Sequence, residues 1–182
     1  MVVIGDSIVD QATATFHQRL DPTFTVTVSA VGGSRADQRA RDPDLAALAT
    51  GRVDRVVIDL GTNDVLQGTP PTQTIEALDH IAALFGGASV FVVTVTEGIF
   101  GEGEPTLRDR SVALNRLLRA TAAERGWTVI PWDRIVRRYV DAGEPLGPIT
   151  TDTIHPTFTG RWLLADACAR ALRSPAPAPV NV

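Results

Sequence analysis

The sequence has little cysteine, and that shortage limits its chemistry. Cys168 is the only cysteine among 182 residues, so no internal disulfide can form. It lies in an apolar stripe at helical spacing that includes Leu164 and Leu172. We therefore expect Cys168 to be a buried hydrophobic residue rather than a reactive thiol.

Long hydrophobic runs are also missing. No apolar segment has the roughly 20 residues that span a bilayer, and no charged stretch followed by an apolar one indicates a signal peptide. The chain starts directly on a predicted strand, as a trimmed domain would. We expect a cytoplasmic protein unless the chain is a domain of a longer one, and the oligomeric state stays open.

Positive charge is scarce as well. Lys and Arg total 17 against 21 Asp and Glu, which gives a formal net charge of -4. No stretch forms a basic block, so a nucleic-acid partner is not expected. The arginines Arg134, Arg137 and Arg138 are interpreted as one solvated helical patch. With 44% hydrophobic and 21% charged residues, the composition is that of an ordinary globular domain.

What the sequence does contain is an alternation of short apolar runs with longer helical patterns. Such alternation predicts βαβ units, an α/β fold and a parallel sheet. The predicted strands are Val2–Ile4, Phe24–Val28, Val53–Leu60, Ser89–Val95 and Thr128–Ile130. The predicted helices are Val9–Leu20, Asp37–Ala49, Thr72–Leu84, Leu107–Arg125 and Thr157–Leu172.

Several of these strands are apolar throughout, which indicates that helices cover both faces of the sheet. We predict a three-layer α/β/α sandwich with about five parallel strands in the flavodoxin-like order 2-1-3-4-5. Residues 1–173 are predicted to form one domain. The end, 174–182, alternates proline with alanine and is predicted to be an extended, mobile tail.

Chemically suggestive residues follow the predicted strands. Ligand sites in open α/β sheets form beyond the carboxyl ends of the strands, so these residues are expected to meet at one edge. The segments are Gly5–Ser7 after the first strand, Gly32–Ser34 after the second, Gly61–Asp64 after the third, and Asp152 with His155 after the last.

Ser7 is a candidate nucleophile because it lies between a strand and a helix with a base available. A serine needs such a base to attack a carbonyl carbon. The alternative is that Ser7 only caps the helix. His155 is the candidate base, whereas His17 and His80 are expected to be surface residues of helices.

Asp152 stands three residues before His155, and in a turn this spacing lets its carboxylate orient the imidazole. A plain turn with a capping aspartate is the alternative. Gly33 and Asn63 are candidate oxyanion-hole donors, since a glycine N–H can approach substrate closely and an asparagine offers a side-chain amide. Each of these two could instead be an ordinary turn residue.

Together, these fragments resemble the four sequence blocks of the SGNH hydrolases, also called GDSL-type esterases and lipases. The resemblance covers residues 2 to about 173. The matching blocks are Val3–Ser7, Val31–Ser34, Leu60–Asp64 and Asp152–Pro156.

The resemblance implies that Ser7 is the nucleophile, His155 the general base and Asp152 the orienting acid. The oxyanion hole would comprise the Ser7 N–H, the Gly33 N–H and the Asn63 side chain. It further implies a serine esterase that works through an acyl-enzyme, with no metal or organic cofactor. The second block lacks the Asn-x-Gly lead-in of many members, so either Gly32 or Gly33 could supply the backbone donor.

The substrate is expected to be a small-molecule ester. No large apolar groove is apparent in the sequence, which favours a small acyl group or an acetylated carbohydrate over a long-chain lipid. The loop Thr96–Thr106 is expected to rim the site, and Arg35 to be solvated rather than to bind an anionic group. Two alternatives are an acyltransferase that uses an alcohol or sugar acceptor and a non-catalytic binding domain of the same fold.

Overall fold

The structure is a computed structural model that describes residues 1–97, 105–143 and 149–173. Its centre is a five-stranded, all-parallel sheet in the order β2-β1-β3-β4-β5. This confirms the predicted fold class and strand order. The strands are β1 (Val2–Gly5), β2 (Thr27–Ala30), β3 (Arg55–Asp59), β4 (Ser89–Val93) and β5 (Thr128–Ile130).

Helices pack on this sheet, with α1 against α8 and α5 against both α2 and α6. The central strands β1, β3 and β4 are almost entirely buried, as their continuous apolar runs predicted. The helices are α1 (Ser7–Leu20), α2 (Ala36–Ala40), α3 (Pro43–Ala49), α4 (Thr62–Gln67), α5 (Pro71–Leu84), α6 (Pro105–Arg125), α7 (Trp132–Asp141) and α8 (Phe158–Arg173).

The prediction of one helix over Asp37–Ala49 is wrong, because the chain forms two helices there. Asp42 is the N-cap of α3 and accepts a hydrogen bond from the Asp44 N–H at 2.9 Å. Pro43 follows at the first helical position, where its missing N–H costs nothing but where it cannot continue the preceding helix.

Two helices, α4 and α7, were not predicted as elements. The six residues of α4 are too few for a periodic pattern to be recognised. In α7 only the arginine patch was noticed, and Arg134, Arg137 and Arg138 are indeed exposed on this helix.

The second strand also lies later than the predicted Phe24–Val28. Pairing fixes its register, since Val2–Gly5 lies beside Thr27–Ala30. Phe24 instead packs under the guanidinium of Arg55, 5.3 Å from the ring centroid.

Cys168 is fully buried, as predicted, and burial raises the pKa of its thiol. None of the helices in the described part of the chain is long and apolar enough to cross a membrane. The predicted tail 174–182 lies outside the described residues.

Candidate active site

Ser7 stands at the junction between β1 and α1, and Asp6 forms the N-cap of that helix. The Asp6 carboxylate accepts a hydrogen bond from the Ile8 N–H at 2.9 Å. Gly5 is required by close approach, because a Cβ on it would lie 2.1 Å from a methyl carbon of Val9. The neighbouring aspartate therefore carries out the capping, and the Ser7 hydroxyl is available for another contact.

That contact is with His155. The Ser7 Oγ lies 2.8 Å from His155 Nε2, although 148 residues separate the two in sequence. On the other side of the ring, His155 Nδ1 lies 2.6 Å from Asp152 Oδ2. Because a carboxylate only accepts hydrogen bonds, Nδ1 carries the proton and Nε2 accepts from the Ser7 hydroxyl. The three predicted residues thus meet in one chain of hydrogen bonds.

A short closed loop holds His155 in this position. Thr150 and Pro156 form an antiparallel bridge, and the Thr151 N–H donates to the His155 carbonyl at 2.8 Å. Within the loop, Thr153 adopts a positive φ of 70°, which is uncommon for a residue with a side chain. The loop geometry is therefore determined by pairing at its base as well as by Asp152.

Asp152 organises the loop from inside. Its Oδ1 accepts from the His155 N–H at 2.7 Å and from the Ile154 N–H at 3.2 Å, while Oδ2 faces the imidazole. Partial burial works to raise the pKa of Asp152, but the hydrogen bonds from His155 and Ile154 outweigh it and lower the pKa. The Asp152 carboxylate is consequently ionised at neutral pH, and 53% of its side chain is exposed.

The two glycines of the second block lie beside the nucleophile. A Cβ placed on Gly32 would lie 3.9 Å from the Ser7 Cβ, which is ordinary van der Waals contact. Gly33 has a left-handed φ of +75° with open space around its Cα. The backbone N–H groups of Gly32 and Gly33 have no acceptor within the described ranges. Both remain candidates for the backbone donor.

Asn63 is the second residue of α4, and its side-chain amide points toward the first and second sequence blocks. Its Nδ2 donates to Asp6 Oδ2 at 2.9 Å and to the Ser34 carbonyl at 3.1 Å. Both N–H bonds of the amide are therefore engaged. To hold an oxyanion, Asn63 must share or release one of these bonds, of which the longer one, to Ser34, is the weaker.

Asp6 and Asp64 were not recognised as site residues from the sequence. Asp6 links α1 to Asn63, and Asp64 links α4 to the start of α2 through the Ala36 N–H at 3.0 Å. Burial raises the pKa of Asp6 to about 6, although the hydrogen bonds from Ile8 and Asn63 favour its charged form. The signal available in the sequence was the position of both acids beside hallmark residues.

A third carboxyl group, that of Asp59, is buried at the end of β3. Asp59 pairs with Gly5 in the sheet, directly before Asp6. Its Oδ2 has no hydrogen-bond partner in the part of the chain that the structure describes. Burial raises the pKa of Asp59 well above its ordinary value, and the negative charge of the nearby Asp6 adds to this effect. Burial therefore favours the neutral form of Asp59, which lies beside Gly5 at the carboxyl end of the strands.

The remaining residues considered from the sequence lie outside this arrangement. Arg35 is half-buried and its Nε donates to Asp37 at 2.9 Å, so it is held by an ion pair rather than simply solvated. His17 contacts Asp21, and His80 is exposed on α5. The predicted rim loop Thr96–Thr106 lies largely outside the described residues. Within the described ranges, no cluster of three or more His, Cys, Asp or Glu could hold a metal ion.

Comparison with known proteins identifies the family and the fold. The model of the GDSL-like Lipase/Acylhydrolase family matches residues 3–163. A search of curated proteins finds no match.

Solved structures show the same fold at low sequence identity. A lipolytic G-D-S-L family protein from Veillonella parvula is 20% identical, with a TM-score of 0.76 over 95% of this chain and 98% of that one. The acetylxylan esterase Axe2 from Geobacillus stearothermophilus is 19% identical, with a TM-score of 0.74 over 96% and 94%. TesA is 24% identical, with a TM-score of 0.72 over 94% and 97%.

Proposed function

The chain belongs to the GDSL-like lipase/acylhydrolase family and is an ester-hydrolysing serine hydrolase, and from that premise we propose that Ser7 carries the acyl group of a small ester. The observation that supports this assignment is the chain of hydrogen bonds from Ser7 Oγ to His155 and on to Asp152, at 2.8 and 2.6 Å. It is the arrangement that activates a serine hydroxyl.

In the proposed first step, His155 Nε2 takes the proton of the Ser7 hydroxyl as Oγ attacks the ester carbonyl carbon. The imidazolium that forms is stabilised by the Asp152 carboxylate, whose lowered pKa keeps it ionised. His155 then gives its proton to the departing alcohol oxygen, and an acyl-Ser7 ester remains. Water attacks this ester with His155 again as base, which releases the acid and restores Ser7.

The negative charge on the carbonyl oxygen needs donors at both tetrahedral stages. We assign this role to the Ser7 N–H at the start of α1, to the Gly33 N–H and to the Asn63 amide. The helix start also favours negative charge there. The bond from Asn63 to the Ser34 carbonyl is the one that the oxyanion would replace, since the other binds the carboxyl of Asp6.

The proposed substrate is an ester with a small acyl group or an acetylated carbohydrate. Exposed large hydrophobic side chains in the described part of the chain are Val31, Leu66, Val112 and Phe158. Four such side chains are little apolar surface, which argues against a long groove for an alkyl chain. The similar fold of an acetylxylan esterase is compatible with this choice.

The direct test is covalent labelling of the wild-type protein with a fluorophosphonate, followed by peptide mapping. We expect the label on Ser7, and Ser7→Ala should lose at least about 10³-fold in ester hydrolysis. Ser89→Ala is the matched control, because Ser89 is the first residue of β4 and lies at the amino ends of the strands, away from Ser7 at the carboxyl ends. Label on another serine, or equal activity in the two alanine variants, would contradict the assignment.

The same acyl-enzyme could pass its acyl group to an alcohol instead of water. Adding increasing concentrations of a sugar during turnover measures this partition. A constant yield of free acid indicates hydrolysis, and formation of the sugar ester indicates acyl transfer.

A further inference from the structure

A cavity of about 380 Å³ adjoins the nucleophile on the side of the second block. Its volume lies within the range of small-molecule sites. Gly32 forms part of its wall, and a Cβ placed on Gly32 would lie 3.9 Å from the Ser7 Cβ, so the cavity lies beside the proposed site. The lining residues are Val31, Gly32, Gly33, Ser34, Gln38, Arg39 and Asp42.

Most of the side chains in this lining are polar. Arg39 is only 2% exposed, and its guanidinium donates to Asp42 and, at 3.1 and 2.6 Å, to the carbonyl and hydroxyl of Ser29. Its Nε has no hydrogen-bond partner among the described residues. An ion pair between the buried Arg39 and the half-buried Asp42 therefore forms part of the cavity wall.

Gln38 supplies a free side-chain donor at the exposed side of the cavity. Its Oε1 accepts from the Arg35 N–H at 2.8 Å, which fixes the orientation of the amide. The Nε2 of Gln38 has no acceptor within the described ranges and is exposed on the first turns of α2. Asp42 retains acceptor capacity, because each carboxylate oxygen has one bonded donor, from Asp44 or Arg39.

From this lining we infer that the cavity binds the hydroxyl-bearing part of a polar ester, with Gln38 donating to a hydroxyl oxygen and Asp42 accepting from a hydroxyl. The inference rests on the proposed function of Ser7 and names its substrate class. A hydroxyl both donates and accepts, so it satisfies the amide and the carboxylate together. An alkyl group in the same place would displace water from both and return no hydrogen bond.

The test compares two acetate esters of similar size, monoacetylated glucose and cyclohexyl acetate, by the rate of acetate release. We expect the wild type to have the higher kcat/KM for the sugar ester. Gln38→Met should lower kcat/KM for the sugar ester about 3- to 10-fold, mainly through KM, and change that for cyclohexyl acetate less than 2-fold. Gln38→Glu should lower the preference as well, because its carboxylate still accepts from the Arg35 N–H but has no N–H to donate to a hydroxyl oxygen.

The hydroxyls could belong to either half of the ester. A second pair, p-nitrophenyl lactate and p-nitrophenyl propionate, places the difference on the acyl side. Loss of the hydroxyl preference in Gln38→Met for one of the two pairs supports the inference and identifies the half that occupies the cavity. An unchanged preference in both pairs overturns it.

Gln18→Met is the control substitution, since Gln18 is exposed on α1 and has no side-chain partner within the described ranges. Melting temperatures of all variants verify that each is folded. If the wild type hydrolyses the esters through Ser7 but shows no preference for hydroxylated substrates, only the cavity assignment fails. If Ser7→Ala remains active on cyclohexyl acetate, the proposed function itself fails.

Discussion

Two aspartates at the same edge of the sheet show how differently the protein treats one functional group. Asp152 lies on an exposed loop, and its hydrogen bonds lower its pKa. Asp6 is 1% exposed and is also hydrogen-bonded, yet burial raises its pKa to about 6. The exposed carboxylate is thus the one that is reliably charged, and it is the one that faces the histidine.

The difference assigns the two regions different tasks. The exposed loop provides a charge that responds to the imidazolium during the proposed reaction. The buried network of Asp6, Asn63 and Asp64 provides fixed positions, because its members join three segments of the chain through hydrogen bonds. Variants in the loop should therefore affect turnover, and variants in the network should affect both turnover and stability.

The largest effect is expected for Asp152→Asn. Asparagine can still accept from the His155 and Ile154 N–H groups, so the loop should keep its shape. Its amide would face His155 Nδ1 as a donor, however, which favours the tautomer with the proton on Nε2. In that form His155 cannot take the proton of Ser7, and kcat should fall by on the order of 10⁴-fold.

Steady-state kinetics with a chromogenic acetate ester measure this loss. Asp10→Asn is the matched control, since Asp10 is exposed on α1 within a turn of Ser7. A rate for Asp152→Asn close to that of the control would mean that Asp152 only shapes the loop.

For the network around Asn63 we expect a smaller loss of turnover that is accompanied by a loss of stability. Asn63→Ala should lower kcat about 100- to 1,000-fold if its amide stabilises the oxyanion, with little change in KM. It should also lower the melting temperature, because Asp6 and the Ser34 carbonyl lose their donor.

Asn115→Ala separates these two effects. Asn115 is another bridging amide, buried where Asn63 is half-buried, and its side chain bonds both the N–H and the carbonyl of Val95. It should lower the melting temperature similarly while kcat stays near normal. If Asn63→Ala is folded and has near-normal kcat, Asn63 is not part of the oxyanion hole.

The sequence predicted the sheet order because continuous apolar runs and helical patterns alternate along most of the chain. It also predicted the hydrogen-bonded Ser7, His155 and Asp152, since each lies beside a strand end or a turn. It did not predict that Asp6 caps α1 and anchors Asn63, because that role depends on which way the Asp6 side chain turns at the strand end, and residue types and spacing do not specify this. The break at Pro43 was visible in the sequence but was outweighed by the apolar pattern around it.

The effect of pH on stability should also separate the two regions. Asp59 has a raised pKa, so the folded state holds its proton more tightly than the unfolded chain does. Its contribution is fully present below about pH 3.8 and is lost as pH rises above that unfolded value. The contribution of Asp6 to stability has the same sign and is lost between about pH 4 and 6. Asp152 has the opposite sign, since its contribution is present above about pH 3.8 and is lost as pH falls further.

Asp59→Asn removes one of these buried titrations. The decline in unfolding free energy from pH 4 to 6 should become shallower, by up to about 1.4 kcal/mol per pH unit, the value for one proton. Urea unfolding at several pH values measures the slope. Asp152→Asn should leave the slope in this range unchanged. Equal slopes for wild type and Asp59→Asn would show that Asp59 is not protonated in the folded protein.

The smallest effects are expected at the two exposed glycines, Gly32 and Gly33. They test whether a loop can position a hydrogen-bond donor as the network around Asn63 does. Gly33→Ala should cost about 1 kcal/mol of stability, because alanine is strained at a φ of +75° even though nothing obstructs its methyl group. Gly32 does not have a positive φ, so Gly32→Ala should change the free energy of unfolding little. Its new methyl group would contact Ser7.

Kinetics then distinguish the two candidate donors. If the Gly33 N–H meets the oxyanion, strain at Gly33 should displace it and lower kcat several-fold, whereas Gly32→Ala should mainly raise KM by narrowing the space beside Ser7. If Gly32 is the donor, the fall in kcat should follow Gly32→Ala instead. Unfolding free energies and kcat measured on both variants decide the matter, because strain without a catalytic role lowers the first and spares the second.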